Sequence, residues 1–451
     1  MTMWSKLNPS VPFIRSANQR RAAAGISLAL MVLMSSYAGF HPGILSFKDI
    51  WPSGIFGCLA ALLLLPDANI AQRIQLGLLL LIGVVLLVVG ISKGAVVNWS
   101  GLLSQNTGLL TMVLTVGLLK LVITSGSVAD QKLPVGRKAY LHTLLSLSVF
   151  SSVINISAPI LVADRLSLNR PLDYFSAATI VRMFSSCSSW SPFFAGTAVV
   201  LTAVHGIHLP SIMLNGLPLM LSAIVVLYLS ASWFNPDKLS SFHGYPIQIE
   251  SLWVPATLGA MVFSANRFFP TIPILTVIAV SAITLTFVVL MSRRGLNNAS
   301  QRLRNYVTED FPKSVNEVQL FITAGILASG LQALVQVGTL SAPIEQFTAL
   351  GACLLLALII FIAALGIHPV IQIAAFTPLI LVVNPDPELL GLTYMFGWSL
   401  GTCGSPLSGT NLVMQGRYGI VAWRGAVQNW PFIGFMYIIA CVLLLIRGWL
   451  G

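Results

Sequence analysis

Long apolar runs separated by short polar segments make up most of this chain of 451 residues. Several runs reach the roughly 20 residues that a helix needs to cross the hydrocarbon core of a bilayer. The pattern predicts an all-α polytopic membrane protein of about 11 spans, from a first span at 22–40 to a last span at 428–447. Four of the runs are interrupted part-way by glycine, proline and small polar residues. Such interruptions in membrane helices often mark functional sites.

The most polar interruption lies in Phe396–Gly419, which reads FGWSLGTCGSPLSGTNLVMQGRYG. A helix cannot run cleanly through the Gly-Ser-Pro at 404–406, because proline lacks an N–H and clashes with the preceding turn. A second segment, Ser185–Val200, repeats the order Cys, Ser, Pro, Gly-Thr and then an apolar run. The two segments therefore predict a pair of broken membrane helices, at 174–206 and 389–416.

Two other apolar segments, at 140–163 and 346–383, are interrupted near their middles and predict re-entrant hairpins. The first has its tip near 151–157. Arg170 follows it closely, and a hairpin keeps this arginine on the cytoplasmic side, as the positive-inside rule expects. The second hairpin is interrupted by Gly-Ile-His-Pro at 366–369 and is predicted to enter from outside.

The two hairpins align with each other in sequence, pairing Asn155 with Gln372 and Pro159 with Pro378. Hairpin and broken helix thus occur twice, entering from opposite sides, which predicts two inverted repeats with a transport site near the midplane. The predicted organisation is N-terminal scaffold spans at 1–106, a first repeat at 107–233, spans 7 and 8 with a basic cytoplasmic linker at 234–315, and a second repeat at 316–451.

Composition and charge agree with this membrane assignment. The chain is 56% hydrophobic and 8% charged, with a net charge of +11. Most of the basic residues fall in segments assigned to the cytoplasm, so the positive charge requires no nucleic-acid partner. The same rule predicts an inner-membrane protein with a cytoplasmic N-terminus and an external C-terminus. A GxxxxGK[ST] loop is missing from the sequence, so ATP is not expected to drive the chain directly.

Small polar side chains at the interruptions are the candidate site. All 13 acidic residues fall at or near predicted span ends, which disfavours a strongly cationic substrate. Half-helix N-termini present free N–H groups that suit an anion, and exposed carbonyls could bind sodium. The candidates for sodium are Ser151, Asn155, Thr402 and Gly404. The candidates for substrate are Ser152, Asn155, Ser157, Arg182, Ser186, Ser188, Ser189, His368, Gln372, Ser405, Ser408, Thr410 and Asn411.

Several of these residues have a purely structural alternative. Arg182 could hold a carboxylate or phosphate, or it could cap a helix or extend to the interface. His368 could carry a proton or bind an anion, or it could hydrogen-bond to unwound backbone. Each serine could bind substrate or donate back to its own helix.

The order of hairpin, broken helix, linker, hairpin and broken helix over 107–447 resembles the ion transporter superfamily. That superfamily includes divalent anion–sodium symporters, citrate carriers and arsenite efflux permeases. Its dicarboxylate branch carries Ser-Asn-Thr at the hairpin tips, where this chain has Ile-Asn-Ile-Ser at 154–157 and no such motif at 366–373. The resemblance implies an elevator-type transport domain moving against a scaffold that is often dimeric, and it leaves substrate and coupling ion open.

The sequence therefore predicts a secondary active transporter of a small anionic solute, coupled to sodium or protons and without another cofactor. Its expected partners are the anion, the lipid bilayer and a second copy in a homodimer. The alternatives are an efflux permease of the same fold and a membrane enzyme acting on a lipid-linked substrate.

The predicted topology can be tested by labelling single cysteines in a variant that lacks the five native ones. Arg170→Cys is expected to react with a membrane-impermeant maleimide only after the cells are permeabilised, because the first hairpin returns it to the cytoplasm. Asp386→Cys is expected to react in intact cells. The opposite pattern would contradict the two hairpins.

Overall fold

A computed structural model describes residues 16–41, 51–122, 133–168, 170–246, 253–342 and 344–450. The first 15 residues of the predicted cytoplasmic N-terminal segment and residues 127–132 of the predicted basic loop at 127–139 lie outside these residues. Within them the chain is helical, with a single isolated β-bridge between Val135 and His243. The predicted all-α class is confirmed.

The helices before the basic linker are numbered in chain order. They are α1 (Ala17–Phe40), α2 (Trp51–Leu64), α3 (Ile70–Ser92), α4 (Trp99–Ser104), α5 (Thr107–Val116), α6 (Arg137–Ile154), α7 (Ser157–Leu166), α8 (Tyr174–Cys187), α9 (Ala195–Ala203), α10 (Leu209–Phe234), α11 (Pro236–Ser240), α12 (Trp253–Phe268) and α13 (Ile274–Asn305). The remaining helices are α14 (Val315–Gln336), α15 (Ala349–Ala364), α16 (Pro369–Ile380), α17 (Pro387–Gly404), α18 (Gly409–Tyr418), α19 (Ala422–Gln428) and α20 (Trp430–Leu450).

Length and hydropathy identify the helices that can cross a membrane. In the described part of the chain, 6 helical segments are long and apolar enough, and shorter apolar helices lie at Pro52–Asp67, Ala349–Ala364 and Pro369–Val383. Many large apolar side chains on α3, α10 and α20 are exposed, as lipid-facing surfaces require. The protein is a multi-pass membrane protein, while the count of eleven spans stays a prediction.

Helix packing divides the described helices into two groups. Group 1 comprises α1–α5 and α12–α14, in which α3 lies along α14 and α13 packs on α5 and α12. Group 2 comprises α6–α11 and α15–α20. Its centre is α17, which packs on α8, α9, α10, α15 and α20 and is almost wholly buried. The groups meet mainly where α14 packs on α16, with a smaller contact between α5 and α9.

The fourth span differs from the predicted boundaries of 107–126. The helical segment begins at Trp99 and is interrupted at residues 105–106, between α4 and α5. Asn98 caps α4 by accepting from the backbone N–H of Gly101 at 3.1 Å. The Asn106 amide donates to the carbonyl of Phe321 on α14 at 2.6 Å. These polar contacts stabilise an interruption that the apolar pattern did not reveal.

The basic linker at 292–315 is helical rather than an open loop. The helix α13 continues to Asn305, and a wider π-helical turn at Tyr306–Asp310 and a tighter 3-10 turn at Phe311–Ser314 lead directly into α14. Gly295 interrupts α13 with φ of 76°, a left-handed conformation that glycine adopts without steric cost. The chain therefore changes direction at the end of the apolar run and not at a flexible connection.

An ion pair joins two segments that are far apart in sequence, the end of the fourth span and the turn at Tyr306–Asp310. Lys120 Nζ lies 2.7 Å from Asp310 Oδ1 and 4.7 Å from the centroid of the Tyr306 ring. Lys313 Nζ lies 2.9 Å from the same oxygen. The Lys120 side chain is 35% exposed and that of Lys313 is 72% exposed, so solvent screens the second pair more strongly.

The two lysines provide a matched test of this contact. Lys120→Gln is expected to lower the free energy of unfolding by about 1–2 kcal/mol, because it removes a partly buried ion pair and a cation–π contact. Lys313→Gln, which removes the same charge from the same carboxylate, is expected to cost less than about 0.5 kcal/mol. Thermal unfolding of the purified protein measures both changes in stability. Equal losses in the two variants would show that neither the Tyr306 ring nor the partial burial of Lys120 strengthens the contact.

Candidate functional site

The chain leaves the helical conformation at four places within the interrupted runs. Tip 1 is residues 155–156 between α6 and α7, and break 1 is residues 188–194 between α8 and α9. Tip 2 is residues 365–368 between α15 and α16, and break 2 is residues 405–408 between α17 and α18. All four belong to group 2. Whether the tips are re-entrant and the repeats inverted stays a prediction.

Tip 1 lies against the helix that follows break 2. A Cβ atom placed on Gly409 would lie 3.4 Å from Ile156 Cδ1. Farther along the same pair of helices, Asp164 on α7 accepts a hydrogen bond from the Tyr418 hydroxyl at 2.6 Å and pairs with Arg417 at 3.1 Å. The first helix–turn–helix is therefore joined to the second broken helix at both ends of α7.

Tip 2 contacts break 2 directly and also packs on Trp398 of α17, which in turn contacts the helix that follows break 1. Gly366, with φ of 94°, lies so close to Leu407 in break 2 that an added Cβ would come within 2.8 Å of its Cδ1. The His368 ring packs edge-on against Trp398 of α17, with 5.0 Å between centroids. On the other side of Trp398 lies Gly196, where a Cβ would come within 2.8 Å of the indole. Glycine at 196 is what allows α9 to approach α17 at this point.

Break 1 is held to its neighbours by hydroxyl and thiol groups that donate to freed or strained carbonyls. The Ser191 hydroxyl donates to the Ser152 carbonyl at the end of α6, at 2.6 Å. The Ser399 hydroxyl of α17 donates to the Ser185 carbonyl of α8, at 2.9 Å. The Cys187 thiol lies 3.6 Å from the Ser148 carbonyl. These bonds connect break 1 to tip 1 and to α17.

Break 2 depends on two asparagines. The Asn411 amide donates to the carbonyl of Ser405 at 2.8 Å and more weakly to that of Cys403 at 3.4 Å. The Asn429 amide donates to the same Cys403 carbonyl at 3.0 Å. The Ser408 hydroxyl caps α18 by accepting from the Asn411 N–H. Together they satisfy the carbonyls that α17 leaves free at its end.

Arg182 supports break 2 indirectly. Its Nε donates to Asn429 Oδ1 at 2.8 Å, and its Nη2 donates to the Gln428 carbonyl at the end of α19, at 2.6 Å. The guanidinium also lies over the Phe432 ring, 5.6 Å from its centroid. The hydrogen bonds of Arg182 thus go to the protein, as in the helix-capping alternative, and its direct contact with substrate stays a prediction. Asn429 is not among the residues predicted for the site, although a polar residue that precedes an apolar run was a signal for it.

The candidate hydroxyls and amides fall into two classes. In the first class, the side chain donates to a backbone carbonyl three or four residues earlier in the chain, at 2.7–2.8 Å: Ser152, Ser186, Ser188 and Ser189. Thr402 does the same toward Trp398, at 2.8 Å. In the second class, the side chain forms no hydrogen bond with any described residue: Asn155, Ser157, Ser405 and Thr410. Only the second class keeps its full hydrogen-bonding capacity for a ligand.

His368 lies in tip 2, at the predicted interruption, but Gln372 does not lie at a tip. His368 caps α16, because its Nδ1 accepts from the backbone N–H of Val370 at 3.2 Å, so a neutral ring carries its proton on Nε2. Gln372 lies one turn into α16 and not at tip 2, so its sequence pairing with Asn155 does not match the structure, in which tip 2 begins at Leu365. The sequence alignment of the two segments is offset by several residues, because their runs of Ile and Val can be aligned with each other in more than one register.

Four buried polar atoms near the interruptions make no hydrogen bond with a described residue: Oγ of Ser151 on α6, Oγ of Ser185 on α8, Nε1 of Trp190 in break 1 and Oε1 of Gln372 on α16. The Nε2 of Gln372 donates to the Ile367 carbonyl of tip 2 at 3.0 Å. The indole N–H is a donor, the Gln372 oxygen is an acceptor, and a hydroxyl can be either. Of the sodium candidates, Thr402 already donates its hydroxyl to the Trp398 carbonyl, and Ser151 lies beside the Cys187 thiol.

Known proteins add a structural relative. No protein-family model matches the chain, and no curated protein matches its sequence. The structure is similar to the crystal structure of the YdaH transporter of Alcanivorax borkumensis, with a TM-score of 0.52 and 13% identity over 82% of this chain and 97% of that one. The chain has the fold of a membrane transporter. MtrF of Neisseria gonorrhoeae, from a class of antimetabolite efflux pumps, matches with a TM-score of 0.47 and 11% identity, over 83% of this chain and 95% of that one.

The strained backbone of tip 1 allows a test that separates the effect of the backbone conformation at Asn155 from the effect of the Asn155 side chain. Asn155 has φ of 50° and ψ of −133°, and Ile156 has φ of −59° and ψ of −16°, close to a type II′ turn whose first position favours glycine. Asn155→Gly is expected to leave thermal stability unchanged or higher. Asn155→Ala is expected to lower the free energy of unfolding by about 1–2 kcal/mol, because alanine is strained in this left-handed conformation.

Thermal unfolding of the two variants measures this difference, and Ser222→Ala on α10 is a control outside the site. If Asn155→Gly destabilises as much as Asn155→Ala, the amide and not the backbone holds the turn.

Proposed function

We propose that this chain is a secondary active transporter of a small anionic solute. The observation that carries the proposal is the convergence of two tips and two breaks within group 2. Interrupted helices place backbone N–H and C=O groups inside the membrane without helical partners, and such groups bind solutes and ions in transporters. The YdaH fold, which belongs to a transporter and not to an enzyme, supports the same class.

An anion is favoured by the helix N-termini that point to the interruptions. α7 and α9 begin after Ile156 and Phe194, and neither of these residues caps its helix with a side chain. The first-turn N–H groups of α9 therefore remain available, whereas in α7 the Ala158 N–H donates to the Asn155 carbonyl at 3.0 Å and Pro159 has no N–H. The helix dipole adds a partial positive charge at both N-termini. Among the described residues, no carboxylate hydrogen-bonds to a tip or a break residue. The hydroxyls of Ser405 and Thr410 supply further donors.

Movement of group 2 against group 1 is the proposed mechanism. The tips and breaks are bonded to one another within group 2, while group 1 contacts it mainly through α14 on α16. This division matches an elevator in which a compact domain carries the solute past a fixed scaffold. Membership of the ion transporter superfamily, coupling to sodium or protons, and a homodimeric scaffold in the inner membrane form part of the proposal. It covers both import and export.

Ligand-dependent thermal stabilisation of the purified protein tests the substrate class. A panel of carboxylates, phosphates and oxyanions is added with and without sodium, at two pH values. At least one anion is expected to raise the melting temperature, and dependence on sodium or on pH identifies the coupling ion. If a lipid-linked sugar stabilises the protein and no anion does, the membrane-enzyme alternative is correct. Uptake into proteoliposomes under an imposed ion gradient then decides the direction.

Variants of the two hydroxyl classes test the site itself. Ser405→Ala and Thr410→Val are expected to weaken binding of the stabilising anion about 10-fold or more, because a hydrogen bond to a charged group contributes about 1.5–3 kcal/mol. Ser186→Ala and Ser188→Ala remove hydroxyls that donate to their own helix and are expected to change affinity by less than about 3-fold. Equal effects in both pairs would place the ligand elsewhere.

A further inference from the structure

A second polar cavity lies in group 1, away from the tips and breaks. It is a cleft of about 820 Å³ where the apolar part of α13 ends, and it lies between the two parts of α13, the turn at Tyr306–Asp310 and the end of the fourth span. Arg293, Arg294 and Arg302 line it together with Asn298 and Asp310. None of its lining residues belongs to the candidate transport site.

The arginines of this cleft are not neutralised by the carboxylate beside them. Partial burial by itself would raise the pKa of Asp310, but hydrogen bonds from Lys120 and Lys313 outweigh it and hold that pKa below its usual value. The aspartate is therefore ionised and already paired with two lysines. Within the described part of the chain, neither Arg294 nor Arg302 makes an ion pair. The cleft keeps an uncompensated positive charge.

Arg293 differs from the other two arginines because it is anchored. It donates to the Val122 carbonyl at 3.2 Å and lies over the Trp253 ring, 5.6 Å from its centroid. It fixes the wall of the cleft and ties α13 to α12 and to the fourth span. Arg294 and Arg302 are left as the groups that can hold a ligand, and guanidinium groups bind phosphate through paired hydrogen bonds.

An exposed apolar stripe leads from the membrane to this cleft. Val288 and Met291 are 48% and 41% exposed on α13 and are three residues apart, so they share one helix face. Arg294 follows three residues after Met291, one turn farther along the helix. Beyond the bend at Gly295, Leu296 is 57% exposed. The surface therefore changes from apolar to basic within about one helical turn of Met291, in the same order as the acyl chain and the phosphate of a phospholipid.

We propose that this cleft binds the phosphate headgroup of an acidic phospholipid. Arg294 and Arg302 contact the phosphate, and the acyl chains lie along Val288 and Met291. The Asn298 amide donates one N–H to the Arg294 carbonyl at 2.9 Å and has its second N–H for a phosphate oxygen. A soluble phosphate compound would use the arginines but gain nothing from the stripe. Basic pockets beside membrane helices recognise anionic headgroups by these means. Bound lipid would fix the angle between the two parts of α13, and hence the position of α14 against group 2.

Lipid binding to the purified full chain tests the proposal. Cardiolipin and phosphatidylglycerol are titrated in detergent, bound lipid is counted by native mass spectrometry, and the melting temperature is followed in parallel. Wild-type protein is expected to bind both acidic lipids and to be stabilised by them. Arg294→Gln and Arg302→Gln are each expected to weaken binding about 5-fold, and the double variant about 30-fold. Arg294→Lys is expected to retain most of the binding.

The matched control is Arg304→Gln, which removes one exposed positive charge from the same helix outside the cleft. It is expected to change binding less than about 2-fold. An equal loss in this control would show non-specific attraction and overturn the site. Equal stabilisation by phosphatidylcholine would show that headgroup charge is irrelevant. Stabilisation by inorganic phosphate or glycerol phosphate to the same extent as by lipid would assign the cleft to a soluble ligand and overturn the proposal.

Discussion

The need to satisfy backbone groups inside an apolar environment governs this structure. Each interrupted helix frees carbonyl and N–H groups where no water is present to replace the lost partners, and an unsatisfied group costs about 1–3 kcal/mol. Asn411 and Asn429 meet this requirement for the carbonyls at the end of α17, and Ser191 and Ser399 meet it around break 1. These bonds also connect the interruptions to one another, so the constraint assembles the site.

This requirement also decides which polar residues remain for a solute. Hydroxyls one turn from a freed or helical carbonyl donate to it, as Ser186 and Ser188 do. Residues at the first positions of α7 and α18 have no carbonyl in reach, and their side chains stay uncommitted. The binding capacity of the site is therefore what remains after the backbone has been satisfied, and it is smaller than the count of serines and threonines implies.

The two partly buried basic residues of the predicted spans are subject to the same rule. Arg182 caps the end of α19 and orients Asn429, and Lys120 pairs with Asp310. A charge placed inside the membrane needs a partner, and both side chains find one in the protein. An anion at the interruptions would then depend on helix N-termini and neutral donors, which bind more weakly and release more easily than a fixed arginine. Weak, reversible attraction suits a site that must let its solute go.

The sequence by itself determined the helical membrane class, because run length and hydropathy are local properties. It also located the four interrupted runs of group 2, since proline, glycine and small polar residues act on their own turn of helix, but not the interruption at residues 105–106. Tertiary structure decided the rest. Arg182 meets Asn429, Asn106 meets Phe321 and Gly196 meets Trp398 across long stretches of chain, and no local pattern predicts such pairs. The same holds for the shift between Asn155 and Gln372, because helix packing and not sequence similarity sets where each tip turns.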